Sequence, residues 1–226
     1  MADQLFKKRQ AEREKREQHF KKLRSESWLF VCEGEKTEPI YINSLIKYAN
    51  SHSNENPIKP EIKGIGKNTE SLVLSVEEFF DYTDCCCSQK AIPYSKVFVV
   101  FDKDSFKPNN FNNAIFVAKS KGYIPLWSNE CFELWLILHY DYYDIDNGRE
   151  AYFEKLSKLI GHKYQKNEDL FSMIHTPQRL KTAMKNATAL EKSFKENSPA
   201  KMVPCTQMHK LIVELQERLK INLLDE

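Results

Sequence analysis

Residues 98–104 read FVVFDKD. With Val97 before it, this is the strongest strand signal in the chain. The run is continuously apolar and rich in β-branched and aromatic side chains, as expected where both faces of a parallel sheet are covered. It stops on Asp102-Lys103-Asp104. Side chains two apart in an extended segment face the same side, so two carboxylates stand together at the strand end.

The chain on either side repeats the pattern. Ser27–Cys32 is a second apolar strand, ending on Glu33-Gly34-Glu35-Lys36-Thr37-Glu38-Pro39. Thr37 reads as an N-cap and Pro39 as a first-turn residue, which predicts a helix over about 38–49. Residues 50–59 read as loop and 61–66 as a polar-edged strand. Asn68 or Thr69 would cap a helix whose apolar positions are Leu72, Val73, Val76, Phe79 and Phe80. A helix over 112–121, a Gly122 turn and a strand over 123–127 follow, with Pro125 arguing for an edge or a bulge.

Strand–helix alternation from 27 to 127 predicts an α/β fold with a mostly parallel sheet flanked by helices. Beyond Asn129 the chain reads as helical over 131–139, 149–160, 177–196 and a final segment whose apolar face runs Met208, Leu211, Ile212, Leu215, Leu219. Residues 140–148 and 161–175 read as loops. The expected organisation is an N-terminal basic helix (1–25), an α/β core (26–140) and a helical C-terminal part packed on it (141–226).

Composition limits the function classes. Hydrophobic residues make up 41% of the 226, enough for a core, yet no apolar run is long enough to span a membrane. The N-terminus lacks the apolar stretch of a signal peptide, so a cytoplasmic protein is expected. Six cysteines include no C-x-x-C pair; free thiols are expected, and no chemistry is assigned to the triplet Cys85-Cys86-Cys87. Residues 1–24 hold nine Lys/Arg and four Asp/Glu, or +5 of a chain total of +2, so the remainder carries −3. Such an arm suits a phosphate backbone, or is a solvated helix with mixed i,i+4 pairs.

In open α/β sheets ligands bind beyond the carboxyl ends of the strands. Two strand ends carry acids: Glu33, with Glu38 on the next helix turn, and Asp102 with Asp104. Mutually repelling carboxylates are the usual setting for a hard cation with oxygen ligands. If the strands are neighbours, Glu33 joins the pair and the set would hold one or two Mg²⁺ ions for phosphoryl transfer. The bland alternative for Asp104 is a helix cap. Gly64-Ile65-Gly66-Lys67 lacks the spacing of a nucleotide phosphate loop, leaving Lys67 as a backbone-phosphate contact or part of a turn. His139 and His209 are candidate proton donors or phosphate contacts.

The strand-terminal Glu33-Gly34 and the later Asp102-Lys103-Asp104 resemble the Toprim catalytic domain of topoisomerases, primases and related nucleases. VCEGEKTEPIY, VFVVFDKDSF and SNECFELWLILHY resemble the RloB-like branch of restriction-linked and abortive phage-defence proteins. The resemblance implies a Toprim-like core and a metal-dependent nuclease, with Mg²⁺ or Mn²⁺ as cofactor and RNA such as tRNA, or DNA, as substrate. It implies Glu33, Glu38, Asp102 and Asp104 as catalytic residues, and Glu33, Asp102, Asp104 and Glu133 as metal ligands. Lys36, Lys67, Asn129 and His209 are the expected substrate contacts. Asn129 is also a candidate cap for the following helix, while Phe132 and Trp135 are expected in the core. A defence-system partner protein and a homodimer are possible partners. The competing class is a non-catalytic nucleic-acid-binding or regulatory protein on the same scaffold.

Overall fold

A computed structural model of the protein describes residues 2–67, 69–80, 93–194 and 198–225. Its sheet contains β1 (Ser27–Cys32), β2 (Lys59–Gly64), β3 (Lys96–Asp102), β4 (Ile124–Asn129) and β5 (Cys205–Thr206), in spatial order β2-β1-β3-β4-β5. All neighbours are parallel except β4 and β5. The helices are α1 (Ala2–Glu26), α2 (Thr37–Ser51), α3 (Thr69–Ser75), α4 (Pro108–Ser120), α5 (Glu133–Ile137), α6 (Arg149–Ile160), α7 (Leu170–Ile174), α8 (Pro177–Ser193) and α9 (His209–Leu219).

Residue parity sorts the strands onto two cores. Trp28, Phe30, Phe98, Val100 and Leu126 point to one face and bury against α2, α5, α6, α8 and α9. Leu29, Val31, Val97, Val99, Phe101 and Trp127 point to the other, against α3 and α4. This is the two-residue period of a strand covered on both sides. Phe30 and Phe98, paired across β1 and β3, stack with centroids 4.6 Å apart. Burying each such ring is worth roughly 1.5–3 kcal/mol.

The order also marks the position where open α/β sheets generally bind ligands. From β1 the chain crosses to β2 on one side, whereas from β3 it crosses to β4 on the other. The crevice at the carboxyl ends of β1 and β3 is therefore the point where strand order reverses, the preferred binding position of open α/β sheets.

Several expectations need correction. Thr37 does not cap α2: Lys36 holds the cap position without a side-chain bond, and the Thr37 hydroxyl donates to the Lys166 carbonyl at 2.9 Å. Asp104 is no helix cap either, since α4 starts at Pro108 after Lys107. Asn129 does not cap α5, whose cap position is Phe132. The segment 161–175 contains α7, capped by Asp169 accepting from the Ser172 amide at 3.3 Å. Pro125 sits in β4 opposite Val99, but β5 pairs only with Ser128 and Asn129, so the proline lies on a stretch β5 does not reach. The C-terminal part is not purely helical, because it supplies β5. One apolar core runs from Trp28 through Tyr152 and Leu180 to Leu223, joining the α/β layer to the C-terminal helices. The Cys85–Cys87 triplet and Asn68 lie outside the described residues. The described thiols Cys32, Cys131 and Cys205 are free and buried. Among the described residues no helix is long and apolar enough to cross a membrane.

Candidate functional site

Asp102 continues the series Phe98, Val100, so its carboxylate turns toward the α2 side of the sheet. There α2 begins, and Glu38 in its first turn is favoured by the helix dipole. Glu33 follows β1, with its amide donating to the Val100 carbonyl at 2.8 Å. Its Oε2 accepts from the Asp102 amide at 3.1 Å, so the two strand ends lock together. Asp104 stands at φ +39°, a left-handed turn that Asp tolerates better than most residues. Glu133 opens α5 and is 2% exposed; its Oε1 accepts from the Tyr164 hydroxyl at 2.8 Å.

These five carboxylates line one cavity of about 310 Å³ together with Glu35, Lys36, Thr37, Arg149 and Lys166. Two glycines make the close packing possible. A Cβ on Gly34 would stand 2.1 Å from Glu38 Oε2, and one on Gly64 would stand 2.7 Å from the Gly34 carbonyl oxygen.

Crowding shows in the protonation equilibria. Burial, then the charges of Glu38 and Asp104, pushes Glu33 up from 4.5 to about 7, against the opposing Asp102 amide and Arg149. Burial, then Glu38, Glu133 and Glu33, raises Asp102 well above the usual carboxylate range. Glu38 is raised by burial and then by Glu133. The cluster lacks positive charge for its number of acids. One buried oxygen, Glu133 Oε2, has no hydrogen-bond partner.

This donor set fits a divalent cation: hard carboxylate oxygens, an unpartnered buried one among them, whose mutual repulsion a cation would relieve. As the side chains stand, no group of three or more His, Cys, Asp or Glu among the described residues is closed around an ion position. Arg149 holds Asp104 instead, Nη1 to Oδ2 at 2.6 Å.

The expected substrate contacts divide. Lys36 lines the cavity, whereas Lys67, Asn129 and His209 do not. Lys67 reaches Glu78 at 3.3 Å beside a neighbouring depression. Asn129 is fully buried and donates to the Pro199 and Ala200 carbonyls, both at 3.3 Å, which ties β4 to a C-terminal turn. His209 meets Glu191 at 3.1 Å, and burial holds its imidazole below the ordinary value despite that partner. His139, pushed by burial down to about 4, bonds the Trp135 carbonyl at 2.9 Å and stays neutral in the core.

Sequence reasoning missed Arg149, Tyr164 and Lys166. Their approach to the acids is long-range and leaves little local trace. The one signal was a cation at the first position of a helix after Gly148, where the dipole disfavours it unless acids stand nearby.

A family model described as RloB-like protein matches residues 28–215. The chain belongs to the RloB-like family. The match spans both the strand-end acids and Arg149 and Lys166, which line the same cavity. No curated protein and no solved structure matches this RloB-like protein.

Proposed function

We propose that this RloB-like protein is a divalent-metal-dependent nuclease of the Toprim type, cleaving phosphodiester bonds in RNA such as tRNA, or in DNA, as part of defence against phage. The observation that carries the reading is the cavity at the β1–β3 switch point, where Glu33, Glu38, Asp102, Asp104 and Glu133 converge under mutual repulsion. A fold that needed only stability would do better with neutral side chains there.

Asp102, Asp104 and Glu133 would hold Mg²⁺ or Mn²⁺, with Glu33 bordering them. A bound cation supplies charge neutralisation at the phosphate and eases attack at phosphorus. Glu33, raised to about 7 in the metal-free site by burial and then by Glu38 and Asp104, would serve as the general acid or base, with a bound cation drawing it back down. Its Oε2 is oriented by the Asp102 amide. Glu38 raises the Glu33 carboxyl through its charge. Tyr164 fixes Glu133 by donating to Oε1, and the Thr37 hydroxyl, which donates to the Lys166 carbonyl, lies 3.3 Å from that tyrosine's oxygen. Lys36 and Lys166 set positive charge at the rim for a phosphate backbone.

The test is cleavage of total tRNA, plasmid DNA and single-stranded DNA in Mg²⁺, Mn²⁺ or EDTA, beside Asp104→Ala and Asp102→Asn. Metal-dependent cutting that drops at least about 100-fold in both variants is expected, as for loss of direct participants. Nucleic-acid binding that ignores EDTA and both substitutions, with no cutting on any substrate, would favour a non-catalytic binding protein.

A further inference from the structure

We propose that Arg149 is the substrate-phosphate ligand of this site, resting on Asp104 only until a divalent cation takes that carboxylate; the inference rests on the nuclease reading above. Arg149 is the first residue of α6, after Gly148 at φ +75°. A cation there opposes the helix dipole, so the helix alone does not explain it. Its environment does: Asp102, Asp104 and Glu133 all favour its charged form, against the cost of burial. Tyr152 and Leu156 anchor α6 in the core, so the guanidinium is delivered from a rigid element.

The fork is under-used. Nη1 reaches Asp104 Oδ2 at 2.6 Å, whereas the buried Nε has no partner. The group also lies 5.6 Å from the Phe153 ring centroid, and its side chain is 31% exposed toward the cavity. Guanidinium presents five donors in a plane that matches two phosphate oxygens at once, which a lysine does not. A divalent cation on Asp104 repels Arg149 and takes its acceptor in the same move. The released fork then faces the phosphate that the carboxylate-bound cation also faces. One arginine thus offsets Asp104 in the metal-free cluster and grips the substrate once a cation is bound.

The experiment compares the full-length protein with Arg149→Gln and Arg149→Lys. Mn²⁺ uptake is followed by calorimetry, and binding of labelled RNA and DNA oligonucleotides by anisotropy in Ca²⁺. Thermal melts check folding. Arg149→Gln should bind Mn²⁺ about fivefold tighter, having lost a partly exposed competing cation. It should bind the oligonucleotide about tenfold or more weaker, having lost a charged hydrogen-bond donor. Arg149→Lys should keep near-wild-type Mn²⁺ affinity with intermediate oligonucleotide affinity. A structural role would not move the two ligands in opposite directions. Unchanged oligonucleotide affinity, or Mn²⁺ affinity that falls with it, overturns the inference and leaves a metal-dependent nuclease standing. No Mn²⁺ uptake by the wild type overturns both.

Discussion

Neutralising Glu33 should make the metal-free protein more stable while removing the proposed nuclease activity. The folded protein holds the Glu33 carboxyl at about 7 rather than 4.5, so it binds that proton more tightly than the unfolded chain does. Stability from this group is therefore greatest below 4.5, falls as pH rises from 4.5 to about 7, and is flat above. The interval, at 1.36 kcal/mol per pH unit, caps the destabilisation at about 3 kcal/mol. Glu33 is partly exposed, so water screens some of this, and a glutamine still accepts from the Asp102 amide. About 1.5 kcal/mol is then the working figure, or roughly 3–6 °C in Tm for a chain of this size. Melts of wild type and Glu33→Gln in EDTA, at about pH 4.5 and about pH 8.5, separate the cases. The variant should match the wild type in acid and exceed it in base, and Mn²⁺ should narrow the gap by stabilising the wild type. A variant that melts at or below the wild type at about pH 8.5 would refute the reasoning, since Glu33 would then be no strained charge.

Other perturbations separate the parts of the site. Gly34→Ala drives a methyl group into Glu38, so it should lower stability by about 1–3 kcal/mol. Pairing it with Glu38→Ala should recover most of that loss in a double-mutant cycle of denaturant melts. Tyr164→Phe removes the hydroxyl that donates to Glu133 and should cost about 1–3 kcal/mol, read from the same melts. Removing residues 1–24 should leave the melt of the body nearly unchanged. It should also flatten the dependence of nucleic-acid affinity on salt, because nine cations leave with the arm; an unchanged slope would make the arm a solvated helix only.

The strands and their acids were legible because each is a local pattern. FVVFD and WLFVCE are uninterrupted apolar runs halted by carboxylates, and neither needs a partner to be read. The helix over 149–160 was equally plain from its amphipathic spacing. What closes the site was not legible. Arg149 and Tyr164 reach Asp104 and Glu133 only through tertiary packing, and β5 is two residues whose pairing exists because β4 offers an edge. Thr37 shows the same limit in miniature. A threonine at a helix start reads as a cap, yet its hydroxyl donates to the Lys166 carbonyl and lies against Tyr164, more than a hundred residues away. Asn129 and His209 sit in motifs that pointed to substrate, yet Asn129 ties the end of β4 to a C-terminal turn and His209 ties α9 to α8 through Glu191.

The late position of β5 bears on how the protein is born. Translation releases β1 and β3 with their carboxylates well before Arg149, Tyr164 or residues 205–206 leave the ribosome. A nascent chain at that stage holds the acids without the groups that orient and offset them, and its β4 edge is open. Domains tend to mature from the N-terminus during synthesis, but here the counter-charge and then β5 follow the acids. A truncated message would thus yield a fragment with an exposed strand edge, a species for chaperones and proteases to clear. Assembly of the site waits on segments that follow the acids in the chain.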